Sequence, residues 1–353
     1  MCIIQKNSQI KIAVLVPSLI NRGPVIVANN IVSGLYGDFH FELFYFDPIF
    51  EIKPKCPFYH IKSFNISYFS KFDIIHSHGF RPDLFNKKIK NKFPYVVSIS
   101  TIHNFIFEDF NSIYGIIISF IFGNYWIFSL KSFNKIVVLT HLQKQFYSKY
   151  ISSSKLFVIE NGVHLNTNVN LSLEHKIKDF ISKFDNPIIL GTTCQLIKRK
   201  GLVQILRSLT YLNNYIFIVV GDGPEMNYLI REAKNNGVFD RVLFTGYYKK
   251  NYILFEYIDV FLLTSYSEGY PLSLIEATSN LIPSVCSDLP IFDEILSNDI
   301  RFTYKLNDIN DLVDKIQYVY NNRYMIKINI SKFLLCRMDF NLMIKKYSDL
   351  YLN

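Results

Sequence analysis

The chain has 353 residues, of which half are hydrophobic and 19% charged, and its formal net charge is +9. That length accommodates two domains with separate cores, and the composition excludes disordered and fibrous classes. The positive surplus suits an anionic partner such as a nucleotide or an acidic membrane surface. No basic run interleaved with aromatics marks a nucleic-acid reader.

Five cysteines, Cys2, Cys56, Cys194, Cys286 and Cys336, are odd in number and widely spaced. No C-x-x-C pair is present, so neither a zinc site nor a disulfide framework is expected, and a reducing cytoplasm follows. The opening M-C-I-I-Q-K-N-S-Q lacks a basic segment followed by an apolar core, and is not expected to be a signal peptide.

Residues 11–17 read as a first strand, followed by a turn containing Arg22 and Gly23 and a helix over 25–35. This is a dinucleotide-type opening without the G-x-G-x-x-G fingerprint. Further strands are expected at 41–46, 72–76, 95–100, 135–139 and 156–160, separated by helical or loop segments. Strands alternating with helices indicate a parallel, doubly wound sheet. The run D-I-I-H-S-H-G puts His76 and His78 on one side of a strand, either as half a metal site without an evident third ligand or as a shaped strand end. The run S-I-S-T-I-H-N puts His103 at another strand end, as a satisfied loop histidine or a site residue.

Residues 113–130 are the most apolar stretch, close to the shortest length that spans a bilayer. Two glycines, Asn124 and two serines count against a span. A buried helix is one reading. The other is a face resting on a membrane, with Tyr125 and Trp126 at headgroup level.

Asn161-Gly162 supplies the turn that closes the first half, and 166–186 reads as a linker plus a helix over 173–184. A strand at 187–194 leads into Q-L-I-K-R-K-G. A strand at 215–220 leads into G-D-G-P and a helix from Glu225; this is a turn signal without the Lys and Ser/Thr of a P-loop. Residues 241–247 form another strand and turn. Residues 258–265 read as a buried strand, Glu268-Gly269-Tyr270 as a tight connection, and Pro271 as the first residue of a helix. The first-turn N–H groups of that helix, at Leu272 and Ser273, lack intrahelical partners and attract phosphate. Glu268 before the helix and Glu276 within it flank this anion site, which suits a ligand carrying phosphates and hydroxyls. A strand at 282–286 and a mostly helical tail from 307 complete the chain.

The stretch S-E-G-Y-P-L-S-L-I-E-A resembles the E-x7-E signature of retaining glycosyltransferases of family 4, of the bacterial polysaccharide type. Supporting segments are D-I-I-H-S-H-G, T-I-H, I-E-N-G-V, Lys200-Gly201 and G-D-G-P. The resemblance implies an α/β GT-B fold of two Rossmann-like domains with the active site between them. Residues 1–165 would form the acceptor domain and 166–340 the nucleotide-sugar donor domain, with a helix at 341–352 returning to the first. It implies transfer of a hexosyl group from a UDP- or GDP-linked donor to a glycan or polyprenyl-linked acceptor, with retention and no cofactor. Cell-surface polysaccharide synthesis on the inner face of the cytoplasmic membrane is the expected setting. No Asp-x-Asp pair occurs, which argues against a metal-held diphosphate.

Carried over residue by residue, the resemblance has Glu268 binding donor-sugar hydroxyls and Glu276 the ribose. Lys200 and the helix start at Gly269, Leu272 and Ser273 meet the diphosphate. His103 contacts the donor sugar, Gly221 and Gly223 border the nucleotide, Gly246 meets the base, and Gly23 allows close approach of phosphate or acceptor. A leaving phosphate oxygen takes the acceptor's proton, so no side-chain base is required. Gln195 stands where the family has Arg; it offers one amide hydrogen bond and no charge, with Lys198 and Arg199 nearby. Two rivals stand beside this reading. A sugar-nucleotide 2-epimerase of the same architecture would need further acid–base groups, and a non-catalytic donor binder would account for Gln195.

Overall fold

The computed structural model describes residues 9–162, 170–249, 252–334 and 340–353, without the side chains of 112 and 113. The opening stretch with Cys2, Val163 of the I-E-N-G-V segment, the first residues of the expected linker, and Cys336 lie outside these residues. The chain divides into two compact units, Met1–Asn161 with Phe340–Asn353, and Gly162–Asp339.

The first unit runs β1 (Lys11–Leu19), α1 (Gly23–Gly34), β2 (His40–Phe50), β3 (Phe58–His60), β4 (Ile74–His78) and α2 (Phe80–Lys92). It continues with β5 (Val97–Ile102), α3 (Ile106–Tyr114), α4 (Ile116–Leu130), β6 (Lys135–Val138), α5 (His141–Tyr147) and β7 (Leu156–Val158). The described strands form one parallel sheet in the order β3-β2-β1-β4-β5-β6-β7. Continuous burial along β1 and β4 is what a sheet covered on both faces requires. One core gathers Ala13, Leu15, Phe44, Phe69, Phe72 and Ile75; another, beyond β5, gathers Ile102, Trp126, Leu130, Phe133 and Tyr147.

The second unit runs α6 (Leu171–Ile181), β8 (Ile188–Thr193), α7 (Val203–Ser208), β9 (Tyr215–Val220), α8 (Met226–Asn235), β10 (Val242–Gly246) and β11 (Val260–Leu263). It continues with α9 (Leu272–Ser279), β12 (Ser284–Ser287), α10 (Ile291–Ile295), β13 (Phe302–Tyr304), α11 (Ile309–Asn321) and α12 (Arg323–Leu334). Its sheet is also parallel, in the order β10-β9-β8-β11-β12-β13. The last helix, α13 (Phe340–Leu352), belongs to the first unit.

Several boundaries differ from the sequence expectation. Helix α1 starts at Gly23, because Pro24 fits the first helical turn, so Gly23 is not a loop residue. Pro271 caps α9 in extended geometry instead of opening it. The apolar stretch 113–130 is two helices, α3 and α4, parted at Gly115, whose φ of 82° ends one helix before the next begins. Among the described residues no helix is long and apolar enough to cross a membrane.

Candidate active site

In each sheet the winding reverses once, and ligands of such folds bind beyond the strand ends at that point. In the second unit the reversal lies between β8 and β11. The segments leaving these two strands are tied together. The Tyr266 N–H donates to the Arg199 carbonyl at 2.8 Å, Thr264 Oγ1 to the Lys200 carbonyl at 3.1 Å, and Gln204 Nε2 to the Thr264 carbonyl at 3.0 Å.

This stitching brings Lys200 onto Glu268. The Glu268 carboxylate is 5% exposed, and Oε1 accepts from Lys200 Nζ and from Ser265 Oγ, each at 2.5 Å. Arg199 Nη1 stands 3.6 Å from Oε2 and donates to the Ser267 carbonyl at 2.5 Å. Burial alone would raise the Glu268 pKa. The charges of Lys200 and Arg199, with the hydrogen bonds from Lys200 and Ser265, outweigh it and hold the carboxyl below its ordinary range. Two cations face one anion here, so the cluster keeps a net positive charge. Helix α9 begins four residues beyond Glu268, adding the partial positive charge of its N-terminus. Arg199, which no spacing rule identifies as a partner of Glu268, supplies a cation in a segment where Gln195 carries none.

Glu276 lies in the second turn of α9, partly buried. Burial pushes its pKa up to about 7, opposed by the Tyr252 hydroxyl 3.5 Å from Oε1. Tyr252 is a neighbour that the sequence pattern does not reveal.

On its other side the segment after β8 meets the loop after β9. The Leu196 N–H donates to the Asp222 carbonyl at 3.0 Å, and the Gly221 N–H to the Gly246 carbonyl at 3.0 Å. A Cβ on Gly221 would lie 1.9 Å from the Cys194 carbonyl oxygen, and one on Gly223 would lie 2.3 Å from that of Leu196. Glycine is needed at both positions so that backbone can pack on backbone. Gly221 and Gly223 therefore pack on the backbone of the 194–201 segment beside Gln195, and Gly246 is tied to Gly221. Cys194 in this segment is half-buried, and desolvation pushes its thiol up to about 11.

Gly23 and His103 belong to the first unit. His103 follows β5, its Nε2 3.0 Å from Nδ1 of His78, and the two rings stack. Burial lowers both pKa values, that of His103 to about 3, so the pair is neutral. His76 is engaged at both nitrogens, Nδ1 with the Tyr351 hydroxyl at 2.6 Å and Nε2 with Thr101 Oγ1 at 2.9 Å. Thr101 Oγ1 in turn lies 3.2 Å from the Tyr347 hydroxyl. The two strand histidines thus face different partners: hydroxyls for His76, a third imidazole for His78.

The profile described as "Glycosyl transferases group 1" matches residues 174–331, which include every second-unit residue of this site. The O-antigen biosynthesis glycosyltransferase WclY of Escherichia coli is 32% identical over 356 residues, covering 97% of this chain and 98% of its own. The chain is a group 1 glycosyltransferase. A second relative of this transferase, the UDP-Gal:alpha-D-GlcNAc-diphosphoundecaprenol alpha-1,3-galactosyltransferase of Escherichia coli, is 25% identical over 266 residues. That match covers 72% of this chain and 68% of the relative. In fold the transferase is similar to HepE of Anabaena, whose structure was solved in complex with UDP, at a TM-score of 0.79 and 15% identity over 97% of this chain and 99% of HepE. The two parallel-sheet Rossmann-like units are those of the GT-B architecture.

Proposed function

We propose that this glycosyltransferase is a retaining, metal-independent member of family 4 with the E-x7-E signature. It moves a hexosyl group from a UDP- or GDP-linked donor to a glycan carried on a polyprenyl lipid, in O-antigen-type polysaccharide assembly. The observation that carries this reading is the buried cluster of Glu268 with Lys200 and Arg199 beside the start of α9. Lys200, Arg199 and the N–H groups of Leu272 and Ser273 receive the diphosphate, whose charge grows as the sugar–phosphate bond breaks. Ionised Glu268 accepts hydrogen bonds from sugar hydroxyls, with Gly269 leaving room beside it. Glu276 binds the ribose, and Gln195, Gly221, Gly223 and Gly246 line the nucleotide. Residues 1–165 and 341–352 serve the acceptor and 166–340 the donor; His103, just after β5, is assigned to the donor sugar, and Gly23, the first residue of α1, to close approach of phosphate or acceptor. The acceptor oxygen bonds to the anomeric carbon on the face the phosphate leaves, and the acceptor's proton passes to a phosphate oxygen. The diphosphoundecaprenol acceptor in one relative's name supports a polyprenyl-linked glycan, and the WclY name supports O-antigen assembly.

Product stereochemistry tests the reading. With an α-linked nucleotide sugar, the anomeric proton coupling measured by NMR is expected to report an α-linked product, formed at an unchanged rate in the presence of a chelator. A β-linked product, or a rate abolished by chelation, would overturn retention or metal independence respectively.

Glu276 gives a pH signature. Its carboxyl is raised to about 7 in the free protein, and the ionised form is the better acceptor for ribose hydroxyls. UDP affinity is therefore expected to rise about tenfold between roughly pH 6 and 8, following the ionised fraction. Stability of the free protein has the opposite sign. The contribution from this raised pKa is fully present below the ordinary value of 4.5 and is lost as pH rises through about 7. Titration calorimetry across this range, with Glu276→Gln giving a flat profile, checks both the group and its role. An equally steep profile in the variant would remove Glu276 from the site.

A further inference from the structure

Helix α4 is inside out for a helix on a water-facing surface. Toward the protein it turns Ser119, Gly123 and Ser129, with Trp126, Ile127 and Leu130 near its end. Toward solvent it turns Ile116, Ile117, Phe120, Ile121, Tyr125 and Phe128, each at least half exposed. Packing explains the inversion. A Cβ on Gly123 would lie 2.7 Å from the Phe107 ring, and Ser119 Oγ donates to the Phe107 carbonyl at 2.5 Å. Only small residues fit between α4 and α3, so the large ones point outward. Residues 110–130 contain no Asp, Glu, Lys or Arg. A continuous apolar surface of this kind marks an interaction site.

Charge indicates the occupant. Residues 1–161 and 340–353 carry 19 Lys and Arg against 10 Asp and Glu, whereas 162–339 carry 19 against 19. The entire positive surplus thus belongs to the unit bearing the apolar face. Helix α2, packed against α4, carries Arg81, Lys87, Lys88, Lys90 and Lys92. Lys87 Nζ stands 4.6 Å from the Phe128 ring centre and 5.7 Å from that of Tyr125. A basic rim around exposed Ile and Phe matches an anionic headgroup layer over acyl chains.

We propose that the outer face of α4, with the lysines of α2, is a docking surface for an anionic lipid bilayer, on which the helix lies flat. At 15 residues it is about 22 Å long, too short for a hydrocarbon core of about 30 Å. The sequence expectation placed Trp126 at headgroup level. The structure corrects it: Trp126 faces inward, 9% exposed, and its Nε1 donates to Asp83 Oδ2 at 2.7 Å. Asp83 also accepts from Ser77 Oγ at 2.6 Å and Ser100 Oγ at 2.9 Å. Those serines lie on β4 and β5, the strands that lead to His78 and His103. Docking would therefore hold these strands in a fixed relation to the bilayer. The proposal deepens the reading of a lipid-linked acceptor, on which it rests.

Co-sedimentation of the full chain with vesicles tests it. Wild type is expected to bind phosphatidylcholine vesicles containing about one-third phosphatidylglycerol, to bind pure phosphatidylcholine weakly, and to be released only partly by high salt. The variant Ile117→Gln/Phe120→Gln/Phe128→Gln is expected to lose about tenfold or more in partitioning. Its UDP affinity and the emission of its single tryptophan should be unchanged. Equal partitioning of variant and wild type, or no vesicle binding by wild type, would overturn the surface. A wild-type dimer that the variant dissociates, with no vesicle binding, would also overturn it and assign the face to a second copy. Loss of UDP binding by the wild type would instead sink the transferase reading, so the two failures are distinguishable.

Discussion

Glu268→Gln is expected to slow sugar transfer by about 10²–10³-fold, the scale seen when one charged or dipolar group that acts on the reacting centre is removed. Gln keeps an oxygen for Ser265 and Lys200 but removes the charge that both cations face. Lys200 and Arg199, both nearly buried, then lose the carboxylate charge they face, which costs about 3 kcal/mol or more. A bound diphosphate restores the missing negative charge. UDP should therefore raise the melting temperature of the variant by more than it raises that of the wild type. Acid titration adds a sign test. The depressed Glu268 pKa contributes stability that is present above the ordinary value of 4.5 and lost as pH falls through the folded value, and the Gln variant lacks this loss. Initial rates with thermal melts in the presence and absence of UDP measure both effects. Unchanged rates would remove Glu268 from the reaction.

Asp83→Ala is expected to be the most destabilising single change in the first unit. The wild-type carboxylate is fully buried and satisfies Ser77, Ser100 and the Trp126 indole at once. Alanine strands the buried Ser100 and Trp126 donors, each costing about 1–3 kcal/mol, and leaves Ser77 Oγ only the Ile99 carbonyl at 3.2 Å. Burial also raises the Asp83 pKa to about 7, so its own contribution is complete below the ordinary value of 3.8 and fades as pH rises through about 7. Asp83→Asn should be milder, because one amide oxygen still accepts. The readout is a thermal melt followed by the emission of Trp126, which sits on the altered carboxylate. Coincident wild-type and Asp83→Ala melts would show that the network contributes little.

Much of the architecture was legible because strands covered on both faces read as unbroken apolar runs. The expected 215–220 strand is β9, Tyr215–Val220, buried throughout. Hydrophobicity fails where polar side chains are buried with partners. Strand β4 runs on to His78 because Ser77 has Asp83 and His78 has His103, and neither partner is visible in the local pattern. The three-residue edge strand β3 is too short to leave a periodic signal. Helix α4 is apolar all round, so its period names no face and does not show that Trp126 turns inward. The small residues Ser119 and Gly123 were the available clue. In the second unit the Glu268 and Glu276 spacing marks the turn after β11 as a candidate site. The ion pairs of Glu268 with Lys200 and Arg199 depend on a crossing of two loops 68 residues apart, which no spacing encodes.

The return of α13 to the first unit has a consequence for synthesis. His76 emerges from the ribosome early, yet the hydroxyl that holds its Nδ1 belongs to Tyr351, 275 residues later. At about 5–20 residues per second, that interval is on the order of tens of seconds. Throughout it, the strand end bearing His76 and Thr101 exists without Tyr347 and Tyr351. The second unit, encoded without interruption, can close first. The unit whose strands are made first is thus the last to be finished, and a ribosome stalled before residue 340 would release a chain with an assembled second unit and an open seam in the first.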